Sequence, residues 1–252
     1  MGDAPTPDDL LALFHEVGRR IHAALAAADP ARRRERTDRP TQYAVDLVAD
    51  DAALDVLRGE DVRVLSEESG FSGNPDAPVT VVLDPVDGST NCARDIPYWG
   101  TSICALDATG ALVGLVVNQV TGTETTAVRD RGAWRDGEPI TSSGVEEPGD
   151  ALIAWNGAPA YEMDWKQFRS LGSGALALCD VAAGNVDAFI DSAPTHAPWD
   201  YLGGMLACTE AGAVVGDLAG EPLITDDPDA RRHIAAAATP ALYAAIAARA
   251  TP

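Results

Sequence analysis

The chain has 252 residues, 46% of them hydrophobic and 6% aromatic, enough for a sizeable core built mainly from Val, Leu, Ile and Ala. Its 18 Lys and Arg stand against 39 Asp and Glu, a formal net charge of -21; this argues against a broad nucleic-acid or anionic-membrane surface and makes a cation the more natural partner. Cys92, Cys104, Cys179 and Cys208 lie singly in apolar segments without a C-x-x-C pair, so neither a zinc site nor a disulfide framework is expected and a reducing cytoplasm fits.

The opening MGDAPTPDDL has neither a basic leader nor an apolar h-region, and no apolar run approaches about 18 residues, so an unexported protein without a membrane span is expected. Thr6-Pro7-Asp8-Asp9 reads as a helix start: Thr6 caps, Pro7 takes the first turn, and two acids meet the positive helix end. Leu10, Leu13, Phe14, Val17, Ile21, Ala24 and Leu25 follow at helical spacing as far as Asp29-Pro30. The next segment, ARRRERTDRP, concentrates positive charge and reads as a solvated loop or as a flap that helps neutralise an anionic substrate. A second helix is expected from Asp50 to Leu57, then a short strand Val62–Leu65 and a loop, SEESGFSGNPDAP.

Thr80-Val81-Val82-Leu83 is a continuous apolar run of the kind buried on both faces of a sheet. It runs into DPVDGSTN, residues 84–91. Thr101–Leu106, Leu112–Asn118 and Glu124–Val128 read as an antiparallel meander joined by turn chemistry, extended by a turn at Arg135-Asp136-Gly137-Glu138. The Ser, Gly, Pro and Glu of residues 141–150 mark a boundary between an N-terminal α+β half, 1–145, and a C-terminal half, 146–252. The second half alternates strands and helices in α/β rhythm: strand 151–154, helix 175–183, strand 188–190, helix 200–210, strands 213–215 and 234–238, helix 240–250.

Asp84 and Asp87 cannot share one face of a regular strand, so Pro85 is expected to stop the strand and let both carboxylates and the Val86 carbonyl converge. Such oxygen ligands suit magnesium, which takes one or two carboxylates plus phosphate oxygens and water. Gly88, Ser89 and Thr90 follow with successive unencumbered N–H groups, a seat for phosphate that opens a helix. Two further acidic loops, Ser66-Glu67-Glu68-Ser69-Gly70 and Pro198-Trp199-Asp200, sit at the ends of other expected elements, and three such loops can build one multi-metal site.

DPVDGSTN, SEES and PWDYLGGMLACTEAG together resemble, in order and approximate spacing, the signatures of the inositol monophosphatase-like phosphatases, a superfamily that includes fructose-1,6-bisphosphatases. The resemblance runs from about Val45 to the C-terminus. It implies an α/β (α+β) fold, a layered α-β-α-β-α sandwich, and a lithium-sensitive, magnesium-dependent phosphomonoesterase, expected as a homodimer. It implies that Glu67, Asp84, Asp87, Asp200 and the Val86 carbonyl hold two or three magnesium ions. Ser89 stands where a Thr usually orients the attacking water, Glu67 also serves catalysis, and the supporting acid is Asp50, with Asp51 as competitor. Gly172, Ser173 and Gly174 resemble a segment whose backbone meets substrate hydroxyls, and Asp191 occupies the place of an acid that binds a sugar or cyclitol hydroxyl.

The sequence departs from the family where only Ala49 separates Val48 from Asp50, where Cys92 replaces an aromatic residue, and where the run from Asp191 to Asp200 is two residues longer. His15, His22, His196 and His233 read as packing or surface residues, with His196 set apart by lying four residues before Asp200. The expected substrate is a small phosphorylated polyol: an inositol phosphate, a sugar phosphate or histidinol phosphate. Adenosine 3′,5′-bisphosphate or fructose bisphosphate is the alternative, disfavoured because few basic residues beyond Arg94 lie near the motifs. A non-catalytic metal or metabolite sensor and a structural protein with a calcium-type site are the readings from other classes.

Overall fold

Helix α1 (Pro7–Ala27) begins as its sequence dictates: Thr6 accepts from the Asp9 N–H while Asp9 receives the Thr6 N–H, a reciprocal capping box. The computed structural model describes residues 5–29, 33–39, 42–159 and 164–250; Pro30, Ala31, Arg32, Pro40 and Thr41 of the basic segment lie outside the described residues. Helix α2 (Ala44–Leu57) starts six residues before the expected Asp50. Tyr43 is not a usual capping residue, and the end is closed instead by Asp46 Oδ2, which accepts the Tyr43 N–H at 2.7 Å.

Two sheets follow. Strands β1 (Arg63–Ser66), β2 (Gly70–Gly73), β3 (Thr80–Asp87), β4 (Gly100–Asp107), β5 (Gly110–Asn118), β6 (Glu124–Val128), β7 (Gly132–Arg135) and β8 (Glu138–Pro139) form one sheet in the order β2-β1-β3-β4-β5-β6-β7-β8. Only the β1–β3 pair is parallel. Strands β9 (Leu152–Asn156), β10 (Gln167–Arg169), β11 (Ala188–Asp191), β12 (Val214–Asp217) and β13 (Ile234–Ala237) form the second, ordered β10-β9-β11-β13-β12. The short helix α3 (Ser89–Ala93) follows β3, and α4 (Gly174–Ala182), α5 (Pro198–Glu210) and α6 (Pro240–Ala250) belong to the second half of the chain.

Successive side chains of β3 are buried in opposite cores and so build the layers. Val81 and Leu83 face α1 and α2, packing with Phe14, Val17 and Ile21, while Val82 faces α4 and α5 beside Leu178, Leu202 and Leu206. The other sheet meets α4 and α5 through Phe189 and Ala236 and meets α6 through Ile153, Ile190, Leu242 and Ile246. The result is helices, sheet, helices, sheet, helix. The apolar run at the end of which DPVDGSTN sits is thus buried on both faces, each large side chain contributing roughly 1.5–3 kcal/mol. Residue 145 falls between the sheets, yet α4 and α5 from beyond it pack on the first sheet.

Two local expectations are corrected. β3 does not stop at Pro85 but runs to Asp87, because the pairing with β4 slips between Asp84 and Asp87 and the bulge takes up the proline. Part of the expected loop SEESGFSGNPDAP is strand β2, antiparallel to β1. All four cysteines are buried and free.

Candidate metal centre and active site

Four acids reach one place from three parts of the chain. Glu67 follows β1, its N–H bound to the Leu83 carbonyl at 3.0 Å, so the SEES loop is laced to the strand that carries Asp84 and Asp87. Asp200 sits in the first turn of α5. Glu67, Asp84 and Asp200 each offer a carboxylate oxygen, and these oxygens lie within 4.8 Å of one another.

The three aspartates are each held by one oxygen. Asp84 Oδ1 accepts from its own Val86 N–H at 2.9 Å, Asp200 Oδ2 from Ala197 N–H at 2.6 Å, and Asp87 Oδ2 from Ala175 N–H at 2.7 Å and Ser173 Oγ at 2.5 Å. Asp87 and Asp200 thereby cap the starts of α4 and α5, where backbone N–H groups and the helix dipole favour a carboxylate. Asp84 also shares a hydrogen bond with Glu67, and Asp87 draws on the Gly174 N–H as well.

Burial pushes the Asp84 carboxyl well up, and the charges of Glu67, Asp87 and Asp200 add to it. Burial likewise raises Asp200, to about 6, against the pull of His196, and raises Asp87 against its hydrogen bonds from Ser173 and Ala175. Glu67 keeps an exposed face, yet the protein packed around its carboxyl, then Asp200 and Glu68, push it up as well. Among the described residues no Lys or Arg is paired with any of the four. Clustered like charges with no paired Lys or Arg among the described residues fit a hard divalent cation, for which an all-oxygen donor set is the right chemistry.

Gly88 caps α3 at φ 89°, a conformation that favours glycine, and a Cβ there would lie 2.9 Å from the Gly172 carbonyl. It therefore turns the chain from Asp87 into α3, at whose start Ser89 and Thr90 stand. The Ser89 hydroxyl has no hydrogen-bond partner among the described residues.

Asp50 does not open α2 as expected. It lies within α2, 3% exposed, and its Oδ1 accepts from Ser66 Oγ at 2.5 Å, so it ties α2 to the SEES loop; Asp51 is exposed. One turn earlier is an acid that the sequence reading passed over. Asp46 is 1% exposed, its Oδ1 is buried without a partner, and burial raises its carboxyl to about 7. Its charge is felt by Cys92 of α3, and Tyr43 beside it places its hydroxyl 3.5 Å from Thr90 Oγ1. Val45, Ala49, Ala53 and Leu57 are spaced by four residues and all buried; that period begins at Val45 and would have set Asp46 on a helix.

The expected substrate contacts sit differently. Asp191 is 1% exposed with both oxygens taken: Oδ1 by Asn156 Nδ2 at 3.0 Å, Oδ2 by Thr195 Oγ1 at 2.9 Å and His196 Nδ1 at 2.5 Å. It is not an open acid for a hydroxyl. Ser173 is buried and committed to Asp87. Gly172 and Gly174 give room to neighbours, since added Cβ atoms would lie 2.9 Å from Asn91 Nδ2 and 2.5 Å from His196 Nε2. His196 is a buried neighbour of the metal-centre acids and not a surface residue.

The basic segment comes to the centre as well. Arg39 donates to the Glu68 carbonyl at 2.8 Å, Gln42 bonds the Glu68 carboxylate, and Arg36 lies 3.9 Å over the Tyr43 ring while donating to its hydroxyl. Sequence distance hid this, because Arg36 and Glu68 are separated by the whole of α2.

A family model described as the inositol monophosphatase family matches residues 11–251. A protein of Archaeoglobus fulgidus named fructose-1,6-bisphosphatase/inositol-1-monophosphatase is 37% identical over 226 residues, 85% of this chain and 87% of that one. The Nus factor SuhB of Escherichia coli (strain K12) is 30% identical over 193 residues, 70% of this chain and 71% of its own length. A solved structure from Pyrococcus horikoshii, described as having similarities to inositol-1 monophosphatase, superposes with a TM-score of 0.82 at 25% identity, covering 96% of both chains.

Proposed function

Because the chain belongs to the inositol monophosphatase family and is a phosphoric monoester hydrolase, we propose that it acts on a small phosphorylated polyol with magnesium held by Glu67, Asp84, Asp87, Asp200 and the Val86 carbonyl. The observation that carries this reading is the meeting of Glu67, Asp84 and Asp200 within 4.8 Å without a paired cationic side chain among the described residues. Two or three such ions supply a water of lowered pKa and screen the phosphate charge. Gly88, Ser89 and Thr90 receive the phosphate. The Ser89 hydroxyl orients the attacking water, and Asp46 takes the place expected for Asp50 as its supporting acid. Support for that exchange is the unpartnered Asp46 Oδ1 beside α3, against an Asp50 already bonded to Ser66. Glu67, with its open face, is the acid best placed to accept a proton from the water.

Family membership sets aside the non-catalytic sensor and the calcium-type structural protein. Lithium sensitivity, a homodimer and residence in the cytoplasm go with the same reading. For the substrate we put inositol, sugar and histidinol phosphates first. A second reading, a bisphosphate such as fructose bisphosphate, is favoured by Arg36 and Arg39 beside the SEES loop and α3, where a second anionic group needs cations.

The test is phosphate release across phosphorylated cyclitols, sugars, nucleotides and amino alcohols, with and without magnesium. Asp84→Asn and Asp200→Asn are each expected to lose at least about 100-fold in kcat/KM, roughly the scale of a lost transition-state electrostatic partner. Full turnover by either variant, or with the metal chelated, would overturn the proposal. Arg36→Ala and Arg39→Ala raising KM only for bisphosphates would select the second reading.

A further inference from the structure

Asp87 and Asp200 are clamped by two different helix starts, α4 and α5, so their separation is set by whatever spaces those helices. The side chain between them is His196. Its Nδ1 faces a carboxylate and therefore donates, to Asp191 Oδ2 at 2.5 Å. Asp191 ends β11 and is itself fixed by Asn156 from the end of the neighbouring parallel strand β9 and by Thr195 N–H and Oγ1. The His196 backbone is pinned in both directions to Arg232, with N–H donated at 3.3 Å and C=O accepting at 2.8 Å. Phe189 meets the ring edge to face, with centroids 5.6 Å apart. Little is left for the ring to do but stand where it is.

The opposite edge of that ring lies against Gly174, where a Cβ would come 2.5 Å from Nε2 and 2.9 Å from Cδ2. Gly174 is the first residue of α4, and the next N–H, of Ala175, holds Asp87. On the other side the next residue after His196 is Ala197, whose N–H holds Asp200. The ring thus belongs to the residue before one clamp and abuts the residue before the other.

We propose that His196, oriented by Asp191, is a positioning residue that sets the gap between the starts of α4 and α5 and hence the spacing of Asp87 and Asp200. The inference rests on the reading that these two acids hold cations. It gives Asp191 a role in the second layer of the site in place of a contact with substrate hydroxyls. Magnesium demands oxygen ligands at about 2.0–2.1 Å, so a shift of a few tenths of an ångström in that gap falls directly on the coordination distances.

The test is direct titration of the purified chain with Mn2+, followed by calorimetry and by electron paramagnetic resonance of free Mn2+, beside the magnesium dependence of phosphatase turnover. His196→Asn keeps a donor toward Asp191 and empties the space against Gly174. Asp191→Asn keeps the shape and releases the ring, and serves if the first variant does not fold. Each is expected to weaken Mn2+ binding about 10- to 100-fold, the scale on which groups behind metal ligands act. Each should raise the magnesium concentration needed for half-maximal rate, with KM for the phosphoester at saturating magnesium changed less. Folded variants that bind Mn2+ as tightly as the parent chain overturn the positioning role while leaving the metal reading intact. A parent chain that binds no Mn2+ overturns both.

Discussion

Asp46 and Asp50 are one helical turn apart on α2, and burial raises both, but their partners differ. Asp50 is satisfied by Ser66; Asp46 has a buried oxygen with no partner and a carboxyl raised to about 7 by burial. A group poised near neutrality beside the Ser89 helix is suited to exchange a proton with an oriented hydroxyl and water, a contribution worth roughly 100- to 10,000-fold. Asp46→Asn is therefore expected to lower kcat by at least about 100-fold without lowering the melting temperature, whereas Asp50→Asn should cost less than about tenfold. Steady-state kinetics with circular-dichroism melts on both variants decide between them. A larger loss in Asp50→Asn would return the role to the acid that the motif reading chose. That reading starts α2 only at Asp50, which leaves Asp46 outside the helix. The four-residue apolar period through Val45, Ala49, Ala53 and Leu57 was the contrary signal, masked by a helix start at Tyr43 that carries no Ser, Thr, Asp or Asn.

At the scale of elements, the acidic cluster depends on helix starts as much as on strands. Ser173 accepts the Leu176 N–H as the cap of α4 and donates to Asp87 Oδ2, so one hydroxyl serves both the helix and the ligand. Ser173→Ala is expected to destabilise the fold by about 0.5–2 kcal/mol, the usual loss for a cap, and to weaken divalent-cation binding. Ser173→Asp separates the two duties. As a cap Asp equals Ser, but its charge opposes Asp87, so Ser173→Asp should bind Mn2+ less tightly than Ser173→Ala; the reverse order in a Mn2+ titration would show that only capping matters. The acidic motifs were legible because each carries a local chemical signature: two acids across Pro85, a pair of Glu after β1, Asp200 behind Pro198-Trp199. Strands β2 and β10 were not. Gly70-Phe71-Ser72-Gly73 has no β-branched residue and is a strand only because β1 pairs with it, and Gln167-Phe168-Arg169 borrows its form from β9. The bulge after Asp84 was hidden likewise, since Pro85 reads as a stop unless the partner strand is known to slip.

For the molecule as a whole, the layers of helix and sheet take Asp84 and Asp87, and in part Asp200 and Glu67, out of water together, and the fold bears the repulsion when no cation is present. The sign follows from the direction of the shifts. A carboxyl raised in the folded state binds protons that the unfolded chain has released, so folding loses stability as pH rises from the ordinary carboxylate range through the raised values. For Asp200 that window runs from 3.8 to about 6, and for Asp46 from 3.8 to about 7; Asp84 and Glu67 extend it upward. The metal-free chain is thus expected to melt at a lower temperature at pH 7.5 than at pH 5.5. Divalent cation removes the penalty only where the acids are ionised. Magnesium at about 100 times its dissociation constant stabilises by about 2.7 kcal/mol, roughly 5 to 10 °C for a domain of this size, at pH 7.5, with a much smaller rise at pH 5.5 where protons compete for the same oxygens. Scanning calorimetry with chelator and with magnesium at the two pH values measures all four terms. An equal magnesium shift at both would place the cation away from the buried acids, and no shift at either would mean that the cluster is stable without one.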